Sequence, residues 1–136
     1  MDQAAFAYLI RMFPQTSETF IANEILRVER TGLPLRIYSY RRPLEDVQHE
    51  VVRQIRTPVT YLPDPLWRHI PSLVKGAYAS IRREPRRAAT TLAYTARVAM
   101  RSRGVDVFKR YLQALYLGDE LRRSGIRHLH SHFAHQ

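Results

Sequence analysis

Short apolar runs and helical stripes alternate along this chain. Ala5-Phe6-Ala7-Tyr8-Leu9-Ile10 is a continuous apolar run that fits a strand buried on both faces, and Leu35-Arg36-Ile37-Tyr38-Ser39-Tyr40 reads as the next strand. Between them Ile21, Ile25 and Val28 recur at i, i+4 and i+7 with Phe20 beside them, so one stripe of a helix faces a sheet. Thr16 or Ser17 can act as N-cap of that helix, and Gly32 stands just past its end, where a left-handed residue is wanted. Together the three pieces make a βαβ unit. In an open α/β sheet ligands gather at the carboxyl ends of the strands, which puts residues 13 to 20 at a site edge by position alone.

Further along, Arg41-Arg42-Pro43 marks a loop, residues 47 to 55 read as a short helix, and residues 57 to 63 as a brief third strand bracketed by prolines. Asp64 and Pro65 form a helix opening, with Asp as N-cap and Pro at the first helical position. Leu66, Trp67, Ile70, Val74, Ala77, Tyr78 and Ile81 then keep one helical stripe with Leu73 beside it, and Pro71 is expected to kink or restart that helix. Pro85 opens another helix whose stripe of Ala89, Leu92, Ala93, Ala96, Ala99 and Met100, mostly small residues, allows close packing, with Gly104 as its end. Asp106 caps a third, carrying Phe108, Tyr111, Leu112, Leu115, Tyr116 and Leu121, which Gly125 terminates. Ile126 to Ser131 reads as the fourth strand. The pattern predicts an α/β fold of about four strands, with a large helical insertion over residues 64–124 between strands 3 and 4. A fourth strand left with an open edge is expected to belong to a longer protein, of which residues 1–136 form the front part.

Composition adds two constraints. The chain has no cysteine, which excludes a disulfide framework, a thiolate nucleophile and a cysteine-ligated zinc. Its N-terminal apolar run stops at Arg11, too short for a signal peptide or a spanning helix, so a cytoplasmic location is expected. Charge is the strongest bulk signal, at +10 for 136 residues. Between Pro65 and Val105, nine Lys and Arg stand against Glu84 alone, which leaves +8 in that segment. Such a concentration favours a polyanionic partner, either nucleic acid or an anionic membrane leaflet, and points to Arg82, Arg83, Arg86, Arg87, Arg97 and Arg101 as its contacts.

Candidate chemistry is concentrated in the histidines. Strand alternation sends His128, His130 and His132 to one face, where imidazoles can hold a divalent metal or exchange protons in a cleft. The chain has no Gly-x-Ser-x-Gly elbow, no P-loop and no Gly-x-Gly-x-x-Gly, so a glycine-cradled phosphate is unsupported. A helix opening at residues 16–19 still offers free N–H groups to an anion; Glu18 competes for them, and can instead accept hydrogen bonds from sugar hydroxyls.

Phe13-Pro14-Gln15-Thr16-Ser17-Glu18-Thr19-Phe20-Ile21, followed by Glu24, by the Gly32 to Tyr38 strand entry and by His130-Ser131-His132-Phe133-Ala134, resembles the N-terminal domain of family 4 retaining glycosyltransferases of the bacterial exopolysaccharide and colanic-acid type. The resemblance implies that the strands form an incomplete Rossmann-like parallel sheet in the order 3-2-1-4, within a two-domain GT-B architecture in which this half takes the acceptor and a second half, with the paired glutamates and the basic residues for the diphosphate, binds the donor. It makes His132 the catalytic-cleft histidine and Ser17, Glu18, Thr19 and His130 substrate-binding residues. It further implies a nucleotide-sugar donor and a lipid-linked or saccharide acceptor, with no metal or other cofactor; on this reading the basic residues of the helical insertion are expected to hold the chain peripherally on the inner membrane face, with no nucleic acid bound. A chain lacking the second half is expected to be inactive alone. Two other readings stand beside this one: a basic nucleic-acid-binding α/β module, and a fragment of a His-x-His metal hydrolase.

Overall fold

The computed structural model describes residues 6–15, 19–43, 49–104 and 106–132. These form a four-stranded, all-parallel Rossmann-like sheet ordered β3-β2-β1-β4, with helices between strands. The strands are β1 (Phe6–Met12), β2 (Leu35–Arg41), β3 (Val59–Tyr61) and β4 (His128–Ser131). Helix α1 (Thr19–Arg30) links β1 to β2, the short α2 (Glu50–Gln54) precedes β3, and α3 (Ile70–Arg83), α4 (Pro85–Ser102) and α5 (Asp106–Arg123) fill the interval before β4. The predicted order 3-2-1-4 and the helical segment between strands 3 and 4 are therefore what the chain adopts.

Contacts divide the chain into two compact units, residues 1–62 with 124–136, and residues 63–123. In the first, β1 pairs with β2 from Phe6↔Leu35 to Met12↔Arg41 and with β4 from Phe6↔His128 to Leu9↔Ser131. The apolar positions of β1 and β2 on one face pack against the inward stripe of α1, giving a core of Tyr8, Ile10, Phe13, Ile21, Ala22, Ile25, Leu35 and Ile37. Burying side chains of this size contributes about 1.5–3 kcal/mol apiece, so this cluster dominates the unit's stability. Gly32 turns out of α1 at φ 79°, as its place after the helix requires. At the same end the Glu29 carboxylate accepts from the backbone N–H of Arg56 (2.9 Å) and of Thr57 (3.2 Å), holding the approach to β3.

The second unit is built otherwise. Its buried apolar side chains among the described residues are Leu73, Tyr111 and Leu117, and polar ties join the helices. Ser80 donates to the Leu115 carbonyl (2.9 Å), Tyr111 to the Ala88 carbonyl (2.9 Å), and the fully buried Gln113 to the Pro63 carbonyl (3.0 Å). The buried Asp119 carboxylate takes Arg83 at 3.1 Å and Arg123 at 3.0 Å. Helices α3 and α5 meet so closely at Gly76 that a Cβ there would lie 3.1 Å from the Tyr116 Cα.

Of the two outcomes expected at Pro71 the helix restarts: Leu66–His69 is a 3-10 turn and α3 begins at Ile70, with Pro71 in its first turn, where an absent N–H costs nothing. Other local expectations are revised. Asp64 pairs with Lys109 at 2.7 Å instead of capping that helix. The left-handed residue after α4 is Arg103 (φ 52°), one before Gly104. The small-residue stripe of α4 does not pack closely: Ala89, Leu92, Ala93 and Met100 are exposed, because α4 turns its Thr95 side inward. The expected cap at Thr16 or Ser17 and the start of the 47–55 helix lie outside the described residues.

Candidate functional site

The rim of the first unit is assembled from the middle of β1, the opening of α1 and the end of β4. Parallel register sets His130 beside Tyr8 and His128 beside Phe6. Alternation then brings the three histidines to one face, against an aromatic strip: His128 stacks on Phe6 at 5.0 Å between centroids, and the His132 ring stacks nearly parallel to that of Tyr8 at 5.8 Å. His132 stands one residue past the strand, and its N–H continues the ladder by donating to the Leu9 carbonyl (3.0 Å). His130 and His132 meet edge to face at 4.6 Å.

Helix α1 supplies the other wall. Phe20 and Glu24 are four residues apart, hence on one side of the helix, and that side faces β4. The Phe20 ring meets the His132 ring at 6.5 Å, and Glu24 Oε1 stands 3.5 Å from His132 Nε2 and 4.0 Å from His130 Nε2. The same oxygen accepts the Tyr8 hydroxyl at 2.8 Å. Burial, then the hydrogen bond to Glu24 and its charge, push the Tyr8 phenol well above the ordinary tyrosine value, so it remains a neutral donor that fixes the carboxylate. His132 is mostly covered, while Glu24 and His130 are half-exposed and open to a ligand.

The turn between β1 and α1 is held from the neighbouring strands. Ser39 Oγ accepts the Phe13 N–H (3.0 Å) and donates to the Arg41 carbonyl (2.8 Å), while the Tyr61 hydroxyl donates to the Phe13 carbonyl (3.1 Å). Burial raises the Tyr61 pKa against the opposing pull of Arg42, whose guanidinium lies 4.7 Å from its ring centroid.

Of the residues singled out from sequence, His130 and His132 are together at this rim, and Thr19 is the first residue of α1, next to Phe20. Ser17 and Glu18 lie outside the described residues, as do Phe133 and Ala134 of the second motif. The six arginines belong to the second unit. Arg83 is committed to Asp119 and Arg87 to Glu84 (2.9 Å), whereas Arg82, Arg86, Arg97 and Arg101 make no ion pair among the described residues.

Glu24 and Tyr8 are the rim residues that sequence reasoning left without a role. A tyrosine inside an apolar strand needs a partner for its hydroxyl, and that demand was the available signal. One donor atom from each of Glu24, His130 and His132 lies within 4.8 Å of the others, a set able to close on a divalent ion at bond lengths of about 2.0–2.2 Å. Equally, the carboxylate and imidazoles are matched to hydroxyl groups, which both donate and accept. No protein-family model matches this sequence, and neither a curated protein nor a solved structure matches it, so chemistry and geometry at the rim carry the functional reading.

Proposed function

We propose that this chain is the acceptor-side half of a retaining glycosyltransferase, transferring a sugar from a nucleotide-sugar donor to a lipid-linked or saccharide acceptor in surface polysaccharide synthesis. The observation that supports it most is the approach of Glu24 Oε1 to His132 Nε2 at 3.5 Å, which joins the two motif segments on one rim. In this reading the His132 imidazole hydrogen-bonds a hydroxyl of the reacting sugar, and Glu24, held by Tyr8, accepts from a second hydroxyl. His130 extends the polar edge, and Thr19, at the opening of α1, lines the approach.

The test is a nuclear magnetic resonance titration of the histidine ring signals with a panel of nucleotide sugars and free saccharides. Shifts at His130 and His132 that disappear in Glu24→Ala are expected. Rim signals that stay still across the whole panel would remove the assignment.

A second reading is favoured by the three convergent donors at Glu24, His130 and His132: a metal-dependent hydrolase. Metal analysis of the purified protein separates the two, since stoichiometric zinc or manganese lost in His130→Ala belongs only to the hydrolase.

A further inference from the structure

The first turn of the second unit and α3 carry an apolar stripe that nothing in that unit covers. Trp67, Ile70, Val74, Tyr78 and Ile81 recur three or four residues apart on one side, and their exposure runs from 45% at Ile81 to 66% at Trp67. The opposite side, with Leu73 and Gly76, is the one that packs inward. Lys75 and Arg82 border the exposed stripe, and the Arg68 guanidinium lies 4.8 Å from the Trp67 ring centroid. In helix α4 Leu92, Tyr94 and Met100 are exposed as well. Residues 63–123 hold thirteen Lys and Arg against five Asp and Glu, a net +8 of the chain's +10.

We infer that α3 docks in the plane of an anionic lipid bilayer, with Ile70, Val74 and Ile81 entering the boundary between headgroups and acyl chains. Trp67 and Tyr78, each an apolar ring with a polar tip, sit at headgroup level, and Lys75 and Arg82 meet the lipid phosphates. Among the described residues no helix is long and apolar enough to cross a membrane, so the helix lies on the surface. Charge selects this occupant. A second copy of the chain would set +10 against +10, and nucleic acid would satisfy the arginines while leaving the aliphatic residues of the stripe in water. The inference stands apart from the chemistry proposed for the rim and does not depend on it.

Trp67 is the chain's sole tryptophan, so its fluorescence reports on this face alone. Mixing the protein with vesicles of phosphatidylcholine and phosphatidylglycerol is expected to shift its emission to the blue and shield it from iodide, with the effect falling as salt rises. Pure phosphatidylcholine vesicles are expected to give little change. Val74→Glu abolishes the shift, and Lys75→Gln and Arg82→Gln each weaken partitioning about fivefold, the contribution of one basic residue near an anionic leaflet. All three positions are exposed, and circular dichroism verifies that the variants fold. Equal binding to both vesicle types overturns the inference. So does a blue shift that needs no vesicles and grows with protein concentration, which marks a second copy. Tight binding of an oligonucleotide with vesicles ignored assigns the face to nucleic acid and overturns it as well.

Discussion

Helices α1 and α3 each carry an apolar stripe at helical spacing, and they turn it in opposite directions. Ile21 and Ile25 of α1 are fully buried against β1 and β2, whereas Ile70, Val74 and Tyr78 of α3 face outward. The two units differ accordingly. The sheet unit closes on a contiguous apolar cluster, while the helical unit joins α3, α4 and α5 through Ser80, Gln113, Asp119 and the close approach at Gly76. Periodicity therefore reports which side of a helix is apolar, and says nothing about whether the protein itself supplies the surface that covers it.

The largest expected effect is on the buried stripe. Ile25→Ala removes a fully buried side chain and leaves a cavity between α1 and the sheet, so urea unfolding should show a loss of about 2–5 kcal/mol. Next comes the helical unit's own tight point. Gly76→Val drives carbon atoms toward the Tyr116 backbone and should cost about 1–3 kcal/mol, with the loss concentrated in hydrogen-exchange protection of α3 and α5.

Tyr8→Phe should remove about 0.5–1.5 kcal/mol by deleting the hydrogen bond to Glu24. It also changes the alkaline limb. The Tyr8 pKa is raised above its ordinary 10.0, so the folded protein holds that proton more tightly than the unfolded chain does. This contribution to stability is whole below about pH 10 and is lost as pH climbs beyond it. Unfolding measured from pH 8 upward should fall less steeply in Tyr8→Phe than in the parent.

The smallest effect is the sharpest test of the comparison. Val74→Ala should change stability by no more than about 0.5 kcal/mol, since the side chain faces water. A loss as large as that of Ile25→Ala would mean that the stripe of α3 is packed, and the contrast between the units would break.

Much of the rim was legible in the sequence. Alternation alone puts His128, His130 and His132 on one face, and the stacking on Phe6 and Tyr8 follows from it. Glu24 was legible only as a letter inside a longer motif. Its place at the rim depends on a partner more than a hundred residues away, and no local pattern announces that α1 presents this carboxylate to β4. Ser39 and Tyr61 were silent for the same reason, since each is an ordinary strand residue until the Phe13 turn is folded onto it.

By itself the sequence determined the strands, the helices and the two uneven distributions of charge and histidine, because these follow from side-chain period and from covalent order. Only the tertiary structure decided that Glu24 joins the histidines and that the stripes of α3 and α4 are left facing outward. Those outcomes depend on which elements meet in space, and the free energy of that choice is spread over long-range packing that no window of the chain contains.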